Sequence, residues 1–339
     1  MSNLTPSIAV IGAGSWGTSL AILLAGKGYP VRLWGHNKEH IDRLISDGEN
    51  SRYLPGISLP ESLYPTPSLE KAVLGAQLVL MVVPSHVFRT VFRDLIPFLP
   101  IDCQIVSAVK GIENSTLSTM HMVMAQELAA YPALALIELG VISGPSFAKE
   151  VAQKQPTAVT VGFASADTAK KVQDIFSTDY FRVYTSTDID GLEISGAFKN
   201  VMAIAAGISD GLSYGSNARA ALITRGLAEM QRLGAAMNAD PATFAGLSGL
   251  GDLLLTCTGD LSRNRNVGLQ LGKGHSIEHI ESEMFMVAEG VKTTKSFYDL
   301  ARKLDVETPI LDEVYHIIYE GKDCSQAVQD LLGRKLKPE

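Results

Sequence analysis

Ile8-Ala9-Val10-Ile11-Gly12-Ala13-Gly14-Ser15-Trp16-Gly17 is the stretch that decides the fold. Four apolar residues in a row suit a short strand buried on both faces. Residues 15–25 follow as a helix, with Leu20, Leu23 and Leu24 at helical spacing, and Gly26 and Gly28 end it. The intervening pattern is G-x-G-x-x-G in the setting that gives it meaning, a strand before and a helix after. Gly12 permits the tight turn, Gly14 lets a pyrophosphate approach the backbone, and Gly17 lets the helix pack against the strand. The first N–H groups of the helix, near Ser15 and Trp16, have no partner within it and face an anion. The motif therefore reads as a dinucleotide-binding loop. The alternative is a strand–turn–helix without a ligand.

The pattern continues outward. Strands are expected at residues 31–34, 78–83, 104–109, 141–143, 158–161 and 181–184, with a helix over 38–46. Strands alternating with helices imply a doubly wound (Rossmann) parallel sheet. From Gly191 onward the chain reads helical, with amphipathic or Ala/Leu/Met-rich segments at 217–237, 291–304 and 309–319. The expected organisation is an α/β domain over 1–190 for the dinucleotide and an all-helical domain over 191–339. A length of 339 residues agrees with two domains at roughly 150 residues each.

Composition narrows the function. Apolar residues make up 46% and charged residues 19%, the balance of a globular chain rather than a disordered one. The net charge of −7 argues against nucleic acid as a main partner. No apolar run approaches the ~20 residues that a spanning helix needs, and the first residues lack a basic leader. The expectation is a cytoplasmic protein without membrane insertion. Cys103, Cys257 and Cys324 are too few and too far apart for a disulfide framework. The seven His are scattered, with no H-E-x-x-H, so no metal is expected.

Which dinucleotide is taken depends on the end of the second strand, where an acid would bind a ribose 2′-hydroxyl. Trp34-Gly35-His36-Asn37 stands there. Without a carboxylate at that place a 2′-phosphate is not repelled. His36 is then a cofactor contact, Arg32 a candidate second cation, and NADPH is favoured with NADH tolerated.

Ligands of doubly wound sheets sit beyond the carboxyl ends of the strands. Lys110-Gly111 and Gly144-Pro145-Ser146-Phe147-Ala148 fall at such ends. Lys199 is placed differently. On a helix its neighbours would be Ser195, Gly196, Ala203 and Ala206, a stripe of small residues. Partial desolvation there would lower its pKa and suit it to proton transfer. The rival reading is ordinary helix packing, with the Lys reaching water. Gly249-Leu250-Gly251-Asp252 and Ser262-Arg263-Asn264 complete the set. Ser262 reads as a helix cap beside a guanidinium and an amide, a combination suited to phosphate.

Taken in order, these motifs resemble the bacterial NAD(P)-dependent glycerol-3-phosphate dehydrogenases over nearly the whole chain. The stretches that carry the resemblance are residues 10–17, 82–86, 110–111, 142–150, 199–200, 217–219, 222–226, 249–252 and 262–264. It implies reversible reduction of dihydroxyacetone phosphate to sn-glycerol 3-phosphate with NADP(H) or NAD(H), for glycerophospholipid synthesis, by a homodimer. It also implies Lys199 as the proton acceptor or donor. Lys110, Gly144, Ser146, Lys199, Asp252, Ser262, Arg263 and Asn264 would bind substrate. Gly12, Gly14, Ser15, Trp16, Gly17, His36, Lys110, Ala148, Arg263, Val287 and Glu289 would contact cofactor. Two other readings share the plan: a β-hydroxyacid or phosphogluconate-type dehydrogenase, and a non-catalytic NADPH-binding sensor.

Overall fold

Along the first strand, β1 (Ser7–Ile11), Ile8 and Val10 belong to one apolar cluster and Ala9 and Ile11 to another. That alternation makes β1 a central strand with a core on each face. In the computed structural model, which describes residues 6–284, 288–336 and 338, the chain divides into two units. The first is Met1–Val109 with Ser118–Ile189, and the second is Lys110–Leu117 with Asp190–Glu339.

In the first unit, among the described residues, eight strands form one sheet. After β1 come β2 (Val31–Trp34), β3 (Leu63–Thr66), β4 (Ala76–Met81) and β5 (Gln104–Ser107). They are followed by β6 (Glu138–Ser143), β7 (Thr157–Phe163) and β8 (Phe181–Ser186). The order is β3-β2-β1-β4-β5-β6-β7-β8. The order reverses at β1, where β1 lies between β2 and β4, and the Gly-rich turn leaves that strand. Helix Ser15–Gly26 packs Leu20, Leu23 and Leu24 into the Ile8/Val10 cluster, and helix Ser85–Leu95 packs Phe88 and Phe92 into the other.

Two features depart from expectation. All neighbouring strands are parallel except β6 and β7, which run antiparallel. The second is β3, for which the sequence carries no strand signal. Pro65 interrupts it, and Pro, lacking an N–H, is tolerated because β3 is an edge strand.

The second unit is helical. Its centre is the helix Ile189–Gly211, buried on all sides between Leu192 and Ala206, with Glu193, Ser195, Lys199 and Asn200 among the buried residues. Helix Arg263–Gly272 crosses it at glycines: a Cβ on Gly268 would fall 1.9 Å from the Ile204 carbonyl oxygen, and one on Gly207 2.0 Å from that of Arg265. Residues 110–117 belong here rather than with the sheet, and Ile112 joins the helical core. No described helix is long and apolar enough to cross a membrane.

Candidate active site

In the first unit each glycine of the loop meets a different constraint. Gly12 has φ +131°, and a Cβ there would lie 2.6 Å from the Val82 carbonyl oxygen. A Cβ on Gly17 would lie 1.8 Å from the Gly12 carbonyl oxygen. Around Gly14, by contrast, nothing lies within 4 Å of an added Cβ. Gly14 caps the helix Ser15–Gly26 without a side-chain bond, so no capping side chain takes its first N–H groups. Trp16 Nε1 is buried and finds no hydrogen-bond partner among the described residues. A cradle open at Gly14 with a donor beside it fits a dinucleotide pyrophosphate.

Of the other residues expected at cofactor or substrate, His36, Ala148, Gly144 and Ser146 lie in the same unit. His36 is exposed directly after β2. Ala148 begins the short helix Ala148–Ala152, which packs on the helix Ser15–Gly26. Gly144 follows β6 with φ +141°, and Ser146 Oγ donates to its carbonyl at 2.9 Å. Arg32 does not serve as expected. Its Nη1 donates to Ser7 Oγ at 3.1 Å and to the Leu74 carbonyl at 2.9 Å. Ser7 opens β1, so Arg32 is tied to the amino end of that strand while the Gly loop leaves the carboxyl end.

In the second unit three charged side chains converge. Asp252, 1% exposed, accepts from Lys110 Nζ at 2.7 Å on Oδ2 and from Lys199 Nζ at 2.9 Å on Oδ1. Lys199, 7% exposed, also donates to Thr256 Oγ1 at 2.8 Å. The Lys therefore does not snorkel to water. Two cations share one carboxylate, so the cluster keeps a formal excess of positive charge. Burial is the largest influence on Lys199. Asp252 counters it and Lys110 reinforces it, and its pKa is pushed down to about 8. Burial raises the Asp252 pKa, but the two ammonium groups outweigh it and leave the carboxyl below its ordinary range. An ammonium has three N–H bonds. Lys199 spends two, and among the described residues the third has no partner.

Local folding explains the placement. Asp252 opens the helix Asp252–Thr258 directly after a π-turn over Leu247–Gly251, and Thr256 lies one turn on. Thr256 Oγ1 donates to the Asp252 carbonyl at 2.6 Å, which fixes the hydroxyl that receives Lys199. Ser262 caps the helix Arg263–Gly272 by accepting from Arg265 N at 3.2 Å. Asn264 Nδ2 donates to Asn200 Oδ1 at 2.9 Å, and Asn200 Nδ2 donates to the Lys110 carbonyl at 3.2 Å. Asn264 Oδ1 accepts from Gly290 N at 2.9 Å. An amide chain thus ties Gly290, Asn264 and Asn200 to the backbone of Lys110. Arg263, exposed at the start of its helix, lies within the field of Glu289, which opens the helix Glu289–Lys303. Val287 lies outside the described residues.

The second unit therefore unites Lys110, Lys199 and Asp252, and links Asn264 to them through Asn200. Reasoning from sequence missed two partners, Thr256 and Asn200. Thr256 could have been found from its i+4 spacing to Asp252, and Asn200 from its place beside Lys199. Among the described residues no group of three or more His, Cys, Asp or Glu could hold a metal ion.

Known proteins resemble the chain over nearly its whole length. The family described as NAD-dependent glycerol-3-phosphate dehydrogenase N-terminus matches residues 7–169, and its C-terminus counterpart matches residues 188–329. The protein of Citrifermentans bemidjiense named glycerol-3-phosphate dehydrogenase, NAD(P)+, is 55% identical over 336 residues, covering 99% of each chain. The crystal structure of glycerol-3-phosphate dehydrogenase from Coxiella burnetii superposes with a TM-score of 0.93 at 42% identity, covering 97% of this chain and 99% of that one. Glycerol-3-phosphate dehydrogenase of Saccharomyces cerevisiae gives a TM-score of 0.82 at 27% identity, covering 98% of this chain and 100% of the other.

Proposed function

This chain belongs to the NAD-dependent glycerol-3-phosphate dehydrogenase family, and from that premise we propose that it reversibly reduces dihydroxyacetone phosphate to sn-glycerol 3-phosphate with NADP(H) or NAD(H), for glycerophospholipid synthesis. The observation that carries the reading is the buried Lys199 ammonium, held by Asp252 and Thr256 with one N–H still to give.

A bound nicotinamide dinucleotide supplies the hydride. As the C2 carbonyl is reduced, negative charge builds on its oxygen. Lys199 Nζ donates a hydrogen bond to that oxygen and then its proton, leaving a neutral amine and a secondary alcohol. In the oxidative direction the amine takes the hydroxyl proton back. With a pKa of about 8, Lys199 can hold or release that proton near neutrality. Asp252 keeps the ammonium charged and oriented. Lys110, Ser262, Arg263 and Asn264 hold the glycerol phosphate, with a second cation and a capped helix start for the phosphate. Gly12, Gly14, Ser15, Trp16 and Gly17 hold the pyrophosphate through backbone N–H groups. The same reading carries a homodimer working in the cytoplasm, which light scattering on the purified protein and cell fractionation check.

The test is optical: oxidation of NADPH and NADH with dihydroxyacetone phosphate, and reduction of NADP+ and NAD+ with 3-hydroxyisobutyrate or 6-phosphogluconate. Consumption of reduced cofactor with dihydroxyacetone phosphate, and no reduction of oxidised cofactor with the other two, is expected. Turnover of either other substrate with its oxidised cofactor, and none with dihydroxyacetone phosphate, would establish the hydroxyacid alternative instead. Binding without turnover on any of them would leave a sensor.

A further inference from the structure

The loop after the helix Lys38–Asp47 is fastened to the Gly-rich turn. Asn50, fully buried, donates from Nδ2 to the Ala13 carbonyl at 3.1 Å and to Thr18 Oγ1 at 2.7 Å. Its Oδ1 accepts from Tyr53 N at 3.2 Å. His40 Nε2 lies 3.3 Å from the same Ala13 carbonyl, and the Tyr53 ring stands edge-on to the His40 ring with centroids 5.1 Å apart. The Arg52 guanidinium rests over the Tyr53 ring, 5.2 Å from its centroid. An exposed arginine therefore sits on an aromatic platform that two buried side chains anchor to the middle of Gly12–Gly17.

The electrostatics around it are positive. After burial, the charges of Arg52, His36 and Arg43 hold His40 below the ordinary imidazole range. His36 stands just past the end of the second strand, where this fold places the adenosine 2′ position.

We propose that Arg52, together with His36, reads the 2′-phosphate of the cofactor and sets its preference for the phosphorylated dinucleotide. The proposal rests on the reading of Gly12–Gly17 as a dinucleotide loop. A guanidinium presents a planar fork that matches two phosphate oxygens. Stacking on Tyr53 restricts that fork before the phosphate arrives, so less side-chain entropy is lost on binding. A bare 2′-hydroxyl gains little from it.

The experiment is calorimetric titration of the full chain with 2′,5′-ADP and with ADP, which differ by the 2′-phosphate alone. Wild type is compared with Arg52→Ala and Arg52→Lys, each checked by thermal melt. Wild type should bind 2′,5′-ADP more tightly than ADP. Arg52→Ala should weaken 2′,5′-ADP by about 10- to 100-fold and leave ADP unchanged, with Arg52→Lys in between. Equal loss for both ligands would assign Arg52 a purely structural role and overturn the proposal, as would an unchanged affinity for 2′,5′-ADP. If wild type binds neither probe, the dinucleotide reading falls and takes this proposal with it.

Discussion

In the first unit the proposed ligand contacts are backbone N–H groups within six consecutive residues, Gly12 to Gly17. In the second they are side chains brought from far apart: Lys110 and Asp252 lie 142 positions from each other, and Lys199 and Asp252 lie 53. The loop works through atoms it lacks, because a Cβ at Gly12 or Gly17 has no room. The cluster works through atoms it holds in a buried place, where each charge depends on the others. Adding a carbon should injure the one, and removing a charge should injure the other.

Lys199→Met tests the second half of that contrast hardest. It keeps the length and removes the ammonium. Positioned acid–base catalysis is worth about 10²–10⁴-fold, so kcat should fall by at least that range while the melt shows a folded protein. A folded variant that keeps more than about a tenth of wild-type turnover would move the proton donor elsewhere, with Lys110 next in line. The pH profile sharpens the assignment. Reduction needs the protonated ammonium, so kcat for dihydroxyacetone phosphate should fall as pH rises through about 8. Oxidation of glycerol 3-phosphate needs the amine and should rise over the same window. Neither inflection should survive in Lys199→Met.

Asp252→Asn should act on stability and on the proton together. It leaves two ammonium groups without their shared carboxylate, a loss of about 3–5 kcal/mol if both stay charged. Lys199 can relieve part of that loss by releasing its proton, so the inflection in reduction should move below its wild-type position. Denaturant titration and the pH profile measure the two parts. Unchanged stability with an unchanged profile would show that the cluster does not depend on this carboxylate.

Gly17→Ala and Gly14→Ala break the comparison within the loop itself. The first places a carbon against the Gly12 carbonyl and should cost about 1–3 kcal/mol of stability. The second meets nothing within 4 Å, so its melt should stay within about 0.5 kcal/mol of wild type. Titration with NADPH should nevertheless weaken, because the added methyl stands where the pyrophosphate approaches. Equal destabilisation by both substitutions would show that the openness at Gly14 is not a property of the fold in solution.

The same contrast explains what could be read from the sequence. The Gly loop is contiguous, so its strand, turn and helix identified one another. Lys199 was visible as one charge on a stripe of small residues, but the stripe also fitted ordinary helix packing. The structure contains both, since Gly207 packs against the helix Arg263–Gly272 while Lys199 meets Asp252. Thr256 had a helical spacing to announce it. Arg52 had nothing, because a loop has no period and its position depends on Asn50 reaching Ala13. The antiparallel turn of β7 onto β6 was equally silent, since an apolar strand reads the same in either direction. β3 was hidden by the proline that an edge strand can tolerate.

Residues 110–117 make the second unit discontinuous in the chain. That segment supplies Ile112 to the helical core, Asn114 as acceptor for Ser296 Oγ at 2.7 Å, and Lys110 to Asp252. A gene cut at codon 190 would therefore yield a helical fragment with Asp252 facing one cation instead of two and a hole where Ile112 had been. Recombination by a single crossover near residue 190 would join this helical part to a foreign segment 110–117. A chimera that keeps the cluster intact needs two additional joints, one on each side of that segment, so that it travels with the helices it serves.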